Sequence, residues 1–131
     1  MIKVNSVERY YMFDFQGRFA ALGGNDNLSP EEIKKQIDEG RKIVILDVRE
    51  PWEYQISKIE GAVLIPLGEL EKRKEELDQN AEIVCQCHHG VRSFKAMKFL
   101  QACGFQSVKN MAGGIDAWSA QVDPNVPRYR Q

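Results

Sequence analysis

Ile83-Val84-Cys85-Gln86-Cys87-His88-His89-Gly90-Val91-Arg92-Ser93 opens on an apolar run, crosses a short glycine-containing loop and leads into a helix-like run from Phe94 to Cys103. A strand that ends in such a loop and re-enters a helix forms an anion cradle. Loop amides converge there, and the first helical turn adds unpaired N–H groups at the positive end of its dipole. Cys87 stands at the mouth of that cradle with Arg92 five positions on. Amides and a nearby guanidinium stabilise a thiolate, so Cys87 is placed as a nucleophile. Cys85, two residues earlier, falls on the same side of the strand and reads as core filling.

Outward from this stretch the chain alternates short strands and helices. Ile43-Val44-Ile45-Leu46 is continuously apolar, as expected of a strand covered on both faces in a parallel sheet. Asp47-Val48-Arg49-Glu50 leaves its carboxyl end, and Pro51 opens a short helix through Tyr54. Ala62-Val63-Leu64-Ile65 reads as a second buried strand stopped by Pro66. Glu69 to Asp78 reads as one charged, solvated helix, with Glu69 and Arg73 spaced to pair. Glu82 to Gln86 feeds the cysteine loop. Ala96, Phe99, Leu100 and Cys103 share one face of the next helix, which makes Cys103 a core thiol, and Gly104 caps it. Ser107 to Asn110 is a short strand, and Gly113-Gly114 turns into a last helix bearing Ile115, Trp118 and Val122 on one side.

Upstream, Ser29-Pro30-Glu31-Glu32 is a strong helix start, with Ser29 as N-cap, Pro30 first in the helix and Glu32 reaching back. Ile33 and Ile37 share its face and Gly40 ends it. We therefore place the main domain at residues 28–122, an N-terminal extension at 1–27 and an irregular tail at 123–131, whose Pro124, Pro127, Arg128 and Tyr129 either fold back near the sheet or dock a partner. Gly23 to Asn27 reads as a turn or linker. Tyr11, Phe13 and Phe15 alternate as in a strand, while Val7, Tyr10 and Tyr11 fit one helical face, and the two periods conflict. The pattern as a whole is that of a small α/β domain with a largely parallel sheet, whose ligands bind at the carboxyl ends of strands. Cys87 and Asp47 both lie at such ends.

Composition narrows the function. The chain has 131 residues, 43% hydrophobic and 28% charged, with a formal net charge of -1. One domain with a real core is expected. A near-neutral chain gives no electrostatic case for nucleic acid or an anionic membrane. No apolar run is long enough to span a bilayer, and Glu8, Asp14 and Gln16 interrupt any signal-peptide layout. Three cysteines, an odd number, suggest a reducing cytoplasm.

Several pieces in order resemble the rhodanese family of sulfurtransferases, over roughly residues 28–121. Asp47-Val48-Arg49-Glu50-Pro51-Trp52-Glu53-Tyr54 resembles the first motif of the family, and Gly61-Ala62 with Ile65-Pro66-Leu67 its second strand and exit. Cys87 through Ser93 resembles the active-site loop. Gly104-Phe105, Val108, Asn110, Gly113-Gly114-Ile115 and Ala117-Trp118 resemble the closing segment. Where the family often shows Gly-His-Ile-Pro, this chain has Ser57-Lys58-Ile59-Glu60.

The resemblance implies a rhodanese-like α/β fold, a small parallel sheet with helices on both faces. It implies sulfur transfer through a persulfide on Cys87, from a donor such as thiosulfate or another persulfide to a thiol or an acceptor protein. Amides of His88, His89, Gly90, Val91, Arg92 and Ser93 would hold the donor and the persulfide, with Arg92 adding a fixed charge. Asp47 and Arg49 would brace the strand end, and the rings of His88 and His89 are expected to face solvent. No metal or organic cofactor is implied, and the protein would act as a monomer or a homodimer.

Other classes fit less well. A zinc or copper site at Cys85, Cys87, His88 and His89 has ligands too tightly spaced. A cysteine-type phosphatase usually has five residues between Cys and Arg, against four here. An inactive rhodanese-like regulatory or interaction module commonly lacks the cysteine.

Overall fold

The computed structural model describes residues 26–130. The expectations for residues 1–25 lie outside the described residues. The elements in order are β1 (Asn27–Leu28), α1 (Pro30–Asp38), β2 (Ile43–Asp47), α2 (Pro51–Ile56), β3 (Val63–Leu64), α3 (Leu70–Arg73), β4 (Glu82–Gln86), α4 (Val91–Ala102), β5 (Ser107–Met111) and α5 (Gly114–Gln121). The sheet order is β1-β5-β4-β2-β3, and every neighbouring pair is parallel. Register aligns Asp47 with Gln86 and Cys85 with Asn110. The carboxyl ends of β2, β4 and β5 therefore share one edge, and the segments that leave them build the site.

Alternation along the central strands divides the core in two. Leu46, Val48, Ile83, Cys85 and Val108 face α3 and α4, where Leu70, Ala96, Met97 and Leu100 cover them. Ile45, Val84 and Met111 face the opposite side, covered by Ile33 of α1 and by Ile115 and Trp118 of α5. Helices thus flank both faces of the sheet, which explains why Ile43 to Leu46 is apolar throughout. Cys103 is half-buried against the α4-side core.

Helix α1 starts as its sequence dictates. Ser29 Oγ accepts the Glu32 amide at 3.1 Å, and Glu32 Oε1 accepts the Ser29 amide at 2.9 Å.

Four local expectations change. Asn27, read as linker, pairs with Asn110 in β1, because the edge of β5 offers unsatisfied backbone groups. The second strand shrinks to Val63–Leu64 and Val63 is exposed: β3 has only β2 as a neighbour, so one edge faces solvent. The charged helix expected over Glu69 to Asp78 breaks into α3 flanked by 3₁₀ turns at Leu67–Glu69 and Lys74–Glu76. Arg73 holds both Glu69 and Glu76 there, at 2.7 and 2.9 Å. Helix α4 begins at Val91, three residues earlier than expected, so Arg92 and Ser93 sit in its first turn. Among the described residues, no helix is long and apolar enough to cross a membrane.

Candidate active site

Gly90 makes the turn from the loop into α4 with φ +107°, a conformation that side chains resist. That turn aims amides at the sulfur. Cys87 Sγ accepts the Gly90 N–H at 3.1 Å and the Ser93 N–H at 3.3 Å, and Ser93 Oγ lies 3.3 Å away. Two amides from the start of helix α4 thus converge on this atom. Cys87 is buried, only 1% exposed. Cys85 has a different environment. Burial, and then the charge on Cys87, pushes its thiol up, so it stays protonated in the core.

The loop is clasped from the far side by α5. Cys87 O accepts the Ile115 amide at 2.8 Å, and His88 O accepts the Asp116 amide at 3.2 Å. Gly114, with φ +63°, makes this approach possible, since a Cβ there would overlap the carbonyl oxygens of both Cys87 and His88. Gly114→Ala is expected to destabilise the protein by about 2–4 kcal/mol. Gly104→Ala, at φ +96° with no atom near its Cβ position, should cost only about 1 kcal/mol of backbone strain. Urea unfolding of the two variants checks this, and equal losses would remove the clasp from the account.

Arg92 does not turn its charge freely into the cradle. Its guanidinium is bidentate on Glu53, at 2.7 and 2.9 Å, rather than on Asp47 or Glu50. Glu53 is fully buried and also accepts the Glu50 amide at 3.0 Å and the Tyr129 hydroxyl at 2.9 Å. Burial works against its ionised form. The hydrogen bonds from Arg92, Glu50 and Tyr129 win, and hold its carboxyl down at about 2. The pair with Glu53 in turn raises Arg92.

Asp47 and Arg49, both wholly buried, form the next layer. Arg49 Nε and Nη2 meet the two Asp47 oxygens at 2.9 and 2.6 Å. Its remaining donors reach Ser57 O at 2.7 Å, Glu53 O at 3.4 Å and Tyr129 Oη at 2.9 Å. Ser57, which departs from the family pattern, thus contributes a backbone carbonyl.

The rings of His88 and His89 do not both face solvent. His88 is buried, stacked on Tyr129 with centroids 4.0 Å apart and planes 9° apart. The exposed His89 ring also lies against it, with centroids 3.9 Å apart. His88, His89 and Asp116 each bring a metal-ligating atom within 4.8 Å of the others. Both Asp116 oxygens already accept from Arg128 at 2.9 Å, so an ion there would have to displace a guanidinium.

The cysteine loop, the parallel sheet and the braced strand ends occur together, and a family model described as the rhodanese-like domain matches residues 29–121. The chain belongs to the rhodanese-like domain family. It is similar to YrkF of Bacillus subtilis, named for sulfur carriage, with 42% identity over 96 residues, covering 73% of this chain and 52% of that protein. It is also similar to YtwF of the same organism, named as a sulfurtransferase, with 34% identity over 97 residues, covering 74% of this chain and 93% of that one. The chain thus spans about half the length of YrkF and nearly all of YtwF. Among solved structures, the rhodanese-like domain protein of Staphylococcus aureus matches with a TM-score of 0.70 and 28% identity, covering 80% of this chain and 99% of that one.

Glu53 was not singled out from the sequence, and Tyr129 was named only with the tail, for which folding back and docking a partner both stayed open. Glu53 lies inside the first motif, where its spacing to Glu50 gave only a local signal. Tyr129 had none beyond being an aromatic residue in a proline- and arginine-containing tail.

Proposed function

We propose that this rhodanese-like protein transfers a sulfane sulfur, from a donor such as thiosulfate, through a persulfide on Cys87. The observation that carries the reading is Cys87 Sγ accepting two backbone N–H groups inside the loop. The Cys87 thiolate attacks the outer sulfur of the donor. The donor S–S bond breaks and its electron pair leaves with sulfite. A thiol or a protein acceptor then attacks the outer sulfur of the persulfide and releases the Cys87 thiolate. The amides of His88 through Ser93 would hold the anionic persulfide and the donor's oxygens. Arg92 would meet the donor while Glu53 fixes its direction. The four-residue gap between Cys87 and Arg92 suits a sulfur substrate better than a phosphoryl group.

Intact mass after incubation with thiosulfate tests the reading. A gain of one sulfur atom, reversed by cyanide, is expected. A protein that gains sulfur from an organic persulfide but not from thiosulfate would retain the transfer and replace the donor. No gain from either would overturn the reading.

A further inference from the structure

We propose that Tyr129, on the C-terminal strap, is a positioning residue for the chemistry at Cys87. The inference rests on the sulfurtransferase reading for its rate measurement and on the geometry of the loop for everything else.

Residues 123–130 form no helix or strand, yet they return to the carboxyl edge of the sheet. Three contacts hold the strap. Val126 enters the α5-side core, Ser119 Oγ donates to Val126 O at 2.5 Å, and Arg128 is bidentate on Asp116. Tyr129 is the residue these contacts deliver to the site. Its hydroxyl accepts from Arg49 Nη1 and donates to Glu53 Oε1, both at 2.9 Å. Glu53 is the carboxylate that orients Arg92. The Tyr129 ring lies flat on His88, the residue after the nucleophile, while Trp52 approaches its edge with centroids 6.4 Å apart. One side chain therefore touches both halves of the loop's support, its arginine clamp and its His88 ring.

This is more bonding than anchoring a tail requires. Val126 and Arg128 already hold the strap through α5 and its core. A Tyr129 hydroxyl removed from between Arg49 and Glu53 leaves two buried polar groups each short of a partner. They can recover only by shifting, and Arg92 shifts with Glu53. Small displacements of groups that orient a reacting centre are costly to rate.

The test compares Tyr129→Phe, Tyr129→Leu and Arg128→Ala. Phenylalanine keeps the ring on His88 and loses the hydroxyl, leucine loses both, and Arg128→Ala removes one strap contact while the Val126 and Ser119 contacts still deliver Tyr129. For the donor half-reaction, kcat/KM should fall about tenfold in Tyr129→Phe and about a hundredfold in Tyr129→Leu, with Arg128→Ala within about twofold of wild type. In Tyr129→Phe the loss should appear in KM for anionic thiosulfate, which Arg92 meets, and little in kcat. Alkylation of Cys87 by iodoacetamide, read by mass, reports the loop without any sulfur donor, and should change in Tyr129→Leu but not in Arg128→Ala. Equal effects of Arg128→Ala and Tyr129→Phe would mean that Tyr129 only fastens the strap and would overturn the proposal. So would wild-type alkylation and sulfur uptake in Tyr129→Leu. If the wild type takes up no sulfur but Cys87 alkylation still follows Tyr129, the sulfurtransferase reading fails and the positioning role stands.

Discussion

Cys87→Ser is expected to lower sulfur uptake by more than about 10³-fold with little change in stability. The proposed transfer needs a polarisable sulfur nucleophile, and a serine hydroxyl does not supply one. The fold should tolerate the change because the site is already polar. Sγ accepts two amides and lies against Ser93 Oγ, and a hydroxyl can take over those contacts at a cost of about 1 kcal/mol or less. Cys85→Ser should behave in the opposite way. Cys85 is fully buried among Leu46, Ile83 and Leu100, so a hydroxyl there goes into an apolar core at about 1–3 kcal/mol. Sulfur uptake per folded molecule should be unchanged. Intact mass with thiosulfate reads activity in both variants, and urea unfolding reads stability. A Cys85→Ser protein that stays folded and loses sulfur uptake would bring Cys85 into the chemistry. A Cys87→Ser protein that still gains sulfur would end the mechanism.

These two cysteines also mark how far the sequence could be read. Strand β4 and the loop after it were legible because the strand period, the glycine and the helix start follow one another within twelve residues. The same holds for β2, whose apolar run is what a strand covered on both faces requires, and for the Ser29–Glu32 cap of α1. In each case the signal itself lies within a few positions in sequence. What was missed depends on long closures. Glu53 reaches Arg92 across 39 residues, and Tyr129 reaches Glu53 across 76. No local period encodes such contacts, and a tail with two prolines looks unstructured until a surface receives it. The broken α3 failed for another reason. Its charge pattern allowed a helix, but Leu70 alone is fully buried along it, and one anchor does not hold several turns in register.

Asp47→Asn is expected to cost about 3–5 kcal/mol, because it leaves the Arg49 guanidinium buried without a counter-charge. That is a large part of the roughly 5–15 kcal/mol by which a domain is usually stable. The substitution preserves shape, so the loss isolates charge. Asp47 Oδ1 also accepts the Arg49 amide at 3.1 Å, which a correctly turned asparagine can keep. Replacing both residues, as Asp47→Met with Arg49→Leu, removes the stranded charge and should recover part of the loss. Recovery should stop short of wild type, since Ser57 O and Tyr129 Oη would then lose the Arg49 donor. Thermal and urea unfolding measure these differences, and an Asp47→Asn protein as stable as wild type would contradict the buried pair. The pair should matter to rate as well as to stability. Arg49 holds Tyr129, Tyr129 bonds Glu53, and Glu53 orients Arg92, so a disturbed Arg49 reaches the cradle through contacts already in place. Ile33→Ala offers the comparison. It empties part of the opposite core under α1, far from this chain of contacts, at a similar cost of about 2–5 kcal/mol. Per folded molecule, Ile33→Ala should form persulfide at the wild-type rate and Asp47→Asn should not. Equal rates in the two would confine Asp47 and Arg49 to stability.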